Sequence, residues 1–128
     1  MDTPKEVLQQ QFNKVYIHLI TQGEKSLSEA AESSNGCSYR GDNGLMCAAG
    51  CMIPDEKYTP EMEGFSWDLL CMEYPEAETW LDRELGLHVQ LIHDTTEPYR
   101  WDYQLRDVAY KFGLSVPYKE EDGNWRTE

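Results

Sequence analysis

Basic residues are scarce in this sequence: 11 lysines and arginines stand against 24 aspartates and glutamates, so the 128 residues carry a formal net charge of -13. Duplex nucleic acid and anionic membrane surfaces bind clustered Lys and Arg. The composition therefore argues against both as direct partners. A strongly acidic chain is typical of a solvated surface, of a protein that binds a basic protein, or of a nucleic-acid mimic.

Long apolar runs are also missing. No stretch approaches the roughly 20 apolar residues of a transmembrane helix, and we see no charged-then-apolar leader with a small-residue cleavage site. We therefore predict a cytoplasmic protein with reduced cysteines. Hydrophobic and aromatic contents of 40% and 12% predict a folded chain, since disordered segments are poor in both. The length suits a single domain.

Signatures of catalysis are few. The glycines at 36, 41, 44 and 50 match neither standard phosphate-binding loop. Nucleophilic catalysis needs a Cys or Ser activated by a nearby base, and a Cys47–His93 dyad is an alternative that no local signature supports. We therefore predict that the protein is not an enzyme.

The four cysteines lack the two close pairs of a typical structural zinc site. Cys47 and Cys51 form the nearest approach to a pair, Cys37 precedes them, and Cys71 or His93 would have to supply a fourth ligand. Small buried thiols explain the same residues, so we predict no cofactor. A zinc-stabilised domain using Cys37, Cys47, Cys51 and His93 stays open. A Cys37–Cys47 disulfide also fits the geometry of a hairpin, but a cytoplasm favours open thiols.

The stretch over residues 36–58 holds three of the four cysteines and the clearest turn signal. Asn43-Gly44 favours a tight turn because both residues tolerate positive φ. The short flanks on either side predict a β-hairpin over residues 37–48. An isolated hairpin is marginal in water, so we expect it to pack on the rest of the chain.

Apolar residues at helical spacing predict helices on both sides of this stretch. Thr3, Pro4 and Glu6 predict a cap, a first helical position and a capping box, and Gly23 predicts the end of the first helix. We predict further helices over residues 66–72, 75–85 and 87–93, with Gly86 as an interruption. A last helix is expected from Pro98 to a stop at Gly113, with an apolar stripe that matches the first.

The fold class that follows is mainly α (α+β): a small single-core helical domain with one β-hairpin near residues 37–48. We place one domain at residues 1–118 and a polar, frayed tail at residues 119–128. Trp125 in this tail lacks an apolar neighbourhood. It therefore either folds back on the body or serves a partner.

Arg40 is one of few cations in the chain, and Tyr39 and Tyr58 lie near it in sequence. These three residues predict a site for a nucleotide or another anion. The alternative is an Arg paired internally with Asp55 or Glu63. Internal pairing is favoured because charged side chains are rarely buried unless paired.

A group of acidic residues opposed only by Arg83 is the candidate partner surface. Such runs are usually solvated faces, but a contiguous acidic face also fits a basic groove on another protein. The candidate partner-binding residues are Glu73, Glu76, Glu78, Asp82 and Glu84.

Residues 37–58 carry the pattern CxYR…NG…CAxG…IPDxxY, followed by Glu63-Gly64. This pattern resembles an uncharacterised family of small proteins encoded by bacteriophages, prophages and some bacterial genomes, and residues 91–94 and Trp101 are similar as well. Cys51 and Cys71 are not part of the motif. The family has no agreed activity, so the resemblance implies a context rather than a chemistry.

From the resemblance, the acidity and the small size we predict a phage or prophage accessory protein in the cytoplasm of a bacterial host. It would bind and modulate a host protein, such as a defence or nucleic-acid-handling factor, through its acidic surface. The alternatives are a small-ligand binder that uses Tyr39, Arg40 and Tyr58, and the zinc-stabilised domain.

Overall fold

A computed structural model describes residues 3–27 and 38–127 of the chain. It confirms a small, mainly α domain. The two-stranded antiparallel hairpin found in these described residues lies at 118–126, not near the predicted 37–48. The elements in chain order are α1 (Lys5–Gln22), α2 (Trp67–Glu73), α3 (Ala77–Trp80), α4 (Arg83–Thr95), α5 (Trp101–Phe112), β1 (Tyr118–Lys119) and β2 (Trp125–Arg126). Within the described ranges, no helix has both the length and the apolar character needed to cross a bilayer.

The first and last helices share one core, as their matching stripes predict. α1 buries Phe12 and Leu19, α5 buries Trp101 and Leu105, and α4 packs against both helices. Each set falls on one helical face because the residues recur every three or four positions. Burying a side chain of this size contributes about 1.5–3 kcal/mol, so these stripes fix how the three helices pack.

The start of α1 differs from the sequence prediction. Pro4 is the N-cap, with an extended ψ of 146°, and no side chain caps the helix. Thr3 therefore lies one residue too early to form the predicted capping box. Its hydroxyl instead donates to Asp82 Oδ1 at 2.5 Å, which ties the start of α1 to the start of α4. Gly23 ends α1 in the left-handed conformation, as predicted.

The predicted helix over residues 75–85 is wrong. α3 ends at Trp80, Leu81 is extended with φ -152°, and Asp82 caps α4 by accepting a hydrogen bond from Leu85 N at 2.9 Å. Gly86 does not interrupt a helix but lies inside α4. A Cβ at this position would lie 2.3 Å from Trp67 Cδ1, so the glycine is what lets α2 approach α4.

The turn at Asn43-Gly44 is confirmed, since both residues have positive φ. The predicted ribbon over residues 37–48 is reduced, within the described part, to one antiparallel bridge between Arg40 and Met46. The chain then turns into a 3-10 segment at Gly50–Met52, where a Cβ on Gly50 would lie 2.0 Å from the Tyr39 carbonyl oxygen. This close approach of the two backbones leaves no room for a side chain at position 50. Cys37 lies outside the described residues.

The predicted frayed tail is also wrong. Tyr118–Lys119 pairs with Trp125–Arg126, and the Trp125 ring meets Tyr16 edge-on at 6.0 Å, so this tryptophan folds back on the body. The Tyr16 hydroxyl donates to Asp102, which also accepts from Arg106. Burial, and then this hydrogen bond, raises the pKa of Tyr16 to about 12. One tyrosine thus connects α1, α5 and the hairpin.

Candidate functional site

The candidate zinc ligands that the structure describes are satisfied within the protein. Cys47 Sγ accepts from Gly50 N at 3.2 Å, and Cys51 Sγ donates to the Ala48 carbonyl at 3.1 Å. Burial raises the pKa of Cys47 far above its ordinary range and that of Cys51 to about 12. In this arrangement both sulfur atoms bond to the backbone and not to each other. Residues 3–27 and 38–127 contain no cluster of His, Cys, Asp and Glu arranged to hold a metal.

His93 uses both ring nitrogens. Its Nδ1 lies 2.7 Å from Asp94 Oδ1 and must donate, since a carboxylate accepts. Its Nε2 therefore accepts from Ser26 N at 2.9 Å. The fully buried ring also stacks on Trp101 at 5.4 Å. No lone pair is left for a metal or for a proton from Cys47, so the dyad alternative is not supported by this arrangement.

The predicted ligand residues do come together, around Glu63. Its Oε1 accepts from Tyr39 N at 2.9 Å, while its Oε2 accepts from Arg40 N at 3.1 Å and from the Tyr58 hydroxyl at 2.7 Å. Burial, and then the bond to Glu63, raises the pKa of Tyr58 to about 12. Burial raises the pKa of Tyr39 as well. Glu63 thus fixes the relative positions of the two tyrosines and the Arg40 backbone.

The Arg40 guanidinium is paired internally, as the favoured interpretation predicts. Its Nη1 donates to Asp55 Oδ1 at 2.9 Å, its Nη2 donates to the Ile53 carbonyl at 2.7 Å, and it lies 5.0 Å from the Tyr58 ring centroid. The Nε atom is buried and has no partner within the described residues. The Asp55 side chain is 92% exposed, so a ligand anion would have to replace this one carboxylate.

The five candidate partner residues occupy different environments. Glu73 and Glu78 are exposed around the end of α2 and in α3. Glu76 Oε2 lies 3.9 Å from Lys57 Nζ, which joins this region to residues 55–63. Glu84 is exposed in the first turn of α4. Asp82 accepts a hydrogen bond from the Leu85 amide with one carboxylate oxygen and from the Thr3 hydroxyl with the other. Its carboxylate therefore stabilises the fold.

Arg83 does not neutralise this acidic surface. Its guanidinium bonds Asp68 at 2.5 Å, which is the main reason that the pKa of Arg83 is raised, and Glu78 adds to the effect. Burial foremost, and then Glu78, raises the pKa of the Cys71 thiol to about 11. The Glu78, Asp68 and Arg83 charges therefore act on one small region, where the Arg83–Asp68 pair cancels and carboxylates remain in excess.

A groove of about 610 Å³ opens beside the carboxylates of Asp82 and Glu84, where the starts of α1 and α4 meet the end of α5. Its apolar side chains are Leu8, Leu87 and Phe112, and Leu87 is 39% exposed. The His88 ring meets Phe112 edge-on at 5.3 Å and supports it. The lining residues are Thr3, Leu8, Asp82, Arg83, Glu84, Leu87 and Phe112.

Sequence reasoning found the acidic members of this groove but missed its apolar floor. Leu8, Leu87 and Phe112 come from three helices, so no local pattern groups them. One signal was available: Leu87 lies off the face of α4 that carries Leu85 and Val89.

Comparison with known proteins identifies no relative: no family model, curated protein or solved structure matches the chain.

Proposed function

We propose that this protein is a non-enzymatic phage or prophage accessory protein that binds and modulates a host protein through its acidic surface. The motif resemblance over residues 37–58 supports the phage context. The net charge of -13 supports a basic partner surface. The groove beside Asp82 and Glu84 is the observation that carries the proposal, because it joins two of the predicted acidic residues to partly exposed apolar side chains.

Apolar side chains and carboxylates contribute differently to such an interface. Buried apolar anchors supply most of the binding energy in protein complexes, and charges around them speed association and select the partner. The groove volume of about 610 Å³ lies within the range of clefts that enclose a ligand group, roughly 300–1,000 Å³. The groove between the starts of α1 and α4 and the end of α5 combines both kinds of side chain.

Affinity capture from host extracts, compared between matched variants, tests the proposal. Glu78→Gln/Glu84→Gln removes two exposed carboxylates from the acidic surface, whereas Glu24→Gln/Glu121→Gln removes two exposed carboxylates outside the predicted surface. We expect a host protein that is captured by the wild type and the control but lost from the first variant. Equal capture by both variants would contradict an acidic-surface interface.

A second candidate is an anion binder, because Arg40 and Tyr58 lie together beside an exposed, replaceable carboxylate on Asp55. Titration calorimetry with ATP and with inorganic phosphate tests it. Asp55→Asn removes the competing carboxylate and should strengthen binding, and Arg40→Ala should abolish it. If neither probe binds wild type or Asp55→Asn at millimolar concentration, this candidate is ruled out.

A further inference from the structure

The geometry points to a basic peptide segment of the partner as the occupant of the groove, with one apolar side chain between Lys or Arg residues. The inference rests on the proposed function and names the chemical class of the segment that binds.

The floor of the groove is prepared for an apolar side chain. Leu8 and Phe112 are half-buried and already held in place by the body, while Leu87 is 39% exposed. The His88 ring supports Phe112, and its Nδ1 donates to the Glu84 carbonyl at 2.9 Å, which restricts the ring. An entering leucine or aromatic side chain would cover the exposed part of Leu87 without ordering a flexible floor. Such preorganisation lowers the entropic cost of binding.

The rim favours cationic flanks. Asp82 lines the groove and accepts hydrogen bonds from the Thr3 hydroxyl and the Leu85 amide. The Glu84 carboxylate has no partner within residues 3–27 and 38–127, so it is open to a Lys or Arg of the segment. Arg83 is neutralised by Asp68. Lys5 lies beside Gly113 at the end of α5. Its positive charge offsets only part of the negative charge of Asp82 and Glu84.

The net charge also favours a basic peptide over a second copy of the chain as the occupant of the groove. With 24 acidic and 11 basic residues, two copies repel each other, and each offers few cations to meet the rim of the other. A segment rich in Lys and Arg meets the same rim with attraction.

The test measures binding of fluorescently labelled synthetic peptides to the full chain by anisotropy. The probe has a central leucine between lysine-rich flanks, and the comparison peptides carry a central alanine or glutamate-rich flanks. Leu87→Lys is the groove variant. Leu91→Lys is its matched control, because Leu91 lies one turn later on α4, is 62% exposed, and does not line the groove. Both variants make the same change in net charge on the same helix, so they differ in whether the substituted residue lines the groove.

We expect Leu87→Lys to weaken binding of the leucine peptide about tenfold, as loss of an apolar anchor does, and Leu91→Lys to leave it within about twofold. The alanine peptide should bind more weakly than the leucine peptide, and the glutamate-flanked peptide should not bind. Equal effects of the two lysine variants would overturn the inference. So would a wild-type dimer in sedimentation that Leu87→Lys converts to a monomer, because a second copy would then be the occupant.

The outcomes separate this inference from the proposed function. Capture of a host protein that depends on Glu78 and Glu84, together with peptide binding that ignores Leu87, overturns only the peptide class. Absence of any such host protein overturns the proposed function, whatever the peptides do.

Discussion

Gly86 in α4 lies directly against the indole of Trp67 in α2, so closely that a Cβ on the glycine would be 2.3 Å from Cδ1 and 2.4 Å from Nε1. Trp67 is almost completely buried, at 1% exposure. The contact sets the spacing of α2 and α4, and it thereby places Arg83 beside Asp68 and the start of α4 beside the acidic surface.

We expect Gly86→Ala to destabilise the protein. An alanine gains about 1 kcal/mol in helix propensity, but overpacking a rigid core commonly costs about 1–3 kcal/mol. A clash with a buried indole belongs at the upper end of that range. The net loss in free energy of unfolding should be about 1–2 kcal/mol, measured by urea denaturation. Trp67→Phe makes room at this position, so Gly86→Ala should be less harmful in that background. Equal stability of Gly86→Ala and wild type would contradict the close contact.

The helices that the sequence predicts well are those specified by local signals. α1 and α5 each have an apolar stripe and a glycine stop, at Gly23 and Gly113. The break between α3 and α4 escapes sequence reasoning because Asp82 looks like one more surface acid in a continuous helix. In the structure Leu81 is extended and Asp82 caps α4, while Gly86, inside α4, packs against Trp67 of α2, a contact that no local sequence pattern shows.

The residues of the candidate site were likewise predictable only in part. Its carboxylates were predictable because charge is visible in the sequence, and internal pairing of Arg40 with Asp55 or Glu63 was predictable because charged side chains are rarely buried without a partner. The floor was not, because Leu8, Leu87 and Phe112 meet only through the packing of α1, α4 and α5.

Stability should fall at alkaline pH through groups that the fold keeps neutral. The pKa of Tyr16 rises from 10.0 to about 12, so folding favours the protonated phenol. The stabilisation is fully present below pH 10 and is lost as the pH rises toward 12. The pKa of the Cys51 thiol is raised in the same way, from 9.0 to about 12, and this stabilisation is lost in the same direction. Urea denaturation from pH 8 upward measures this loss.

Tyr16→Phe isolates the phenol contribution. The variant should be less stable than wild type at neutral pH, because Asp102 loses its tyrosine donor and a lost hydrogen bond costs about 1 kcal/mol. It should lose less further stability than wild type between pH 10 and 12, since one titrating group is gone. Parallel pH profiles for the two proteins would show that Tyr16 does not ionise differently on unfolding.

Treatment with a strong chelator should leave the melting temperature of the protein unchanged. Cys47 and Cys51 are buried thiols bonded to the backbone, and His93 has both nitrogens occupied. A structural zinc site contributes directly to folding, so its loss would unfold the domain. Calorimetry with and without chelator, beside native mass spectrometry for bound zinc, measures both effects. A large drop in melting temperature would restore the zinc-stabilised alternative.

Substitutions at Asp82 and Glu84 should affect different properties, with Asp82 needed for stability and Glu84 for peptide binding. Asp82→Ala removes the cap of α4 and the acceptor for Thr3, and loss of such a cap costs about 0.5–2 kcal/mol. Glu84→Gln removes an exposed carboxylate and should leave the free energy of unfolding within about 0.5 kcal/mol of wild type. Stability is measured by urea denaturation, and binding of the lysine-flanked leucine peptide is measured at rising salt concentration.

Glu84→Gln should weaken peptide binding and reduce its dependence on salt, because one fewer charge is screened. Glu121→Gln removes the same charge from an exposed position outside both the groove lining and the acidic surface and serves as the matched control, with a smaller effect expected. A Glu84→Gln variant that binds like wild type at every salt concentration would place the cationic flanks away from the start of α4. Loss of stability in Glu84→Gln equal to that in Asp82→Ala would instead assign Glu84 to the fold.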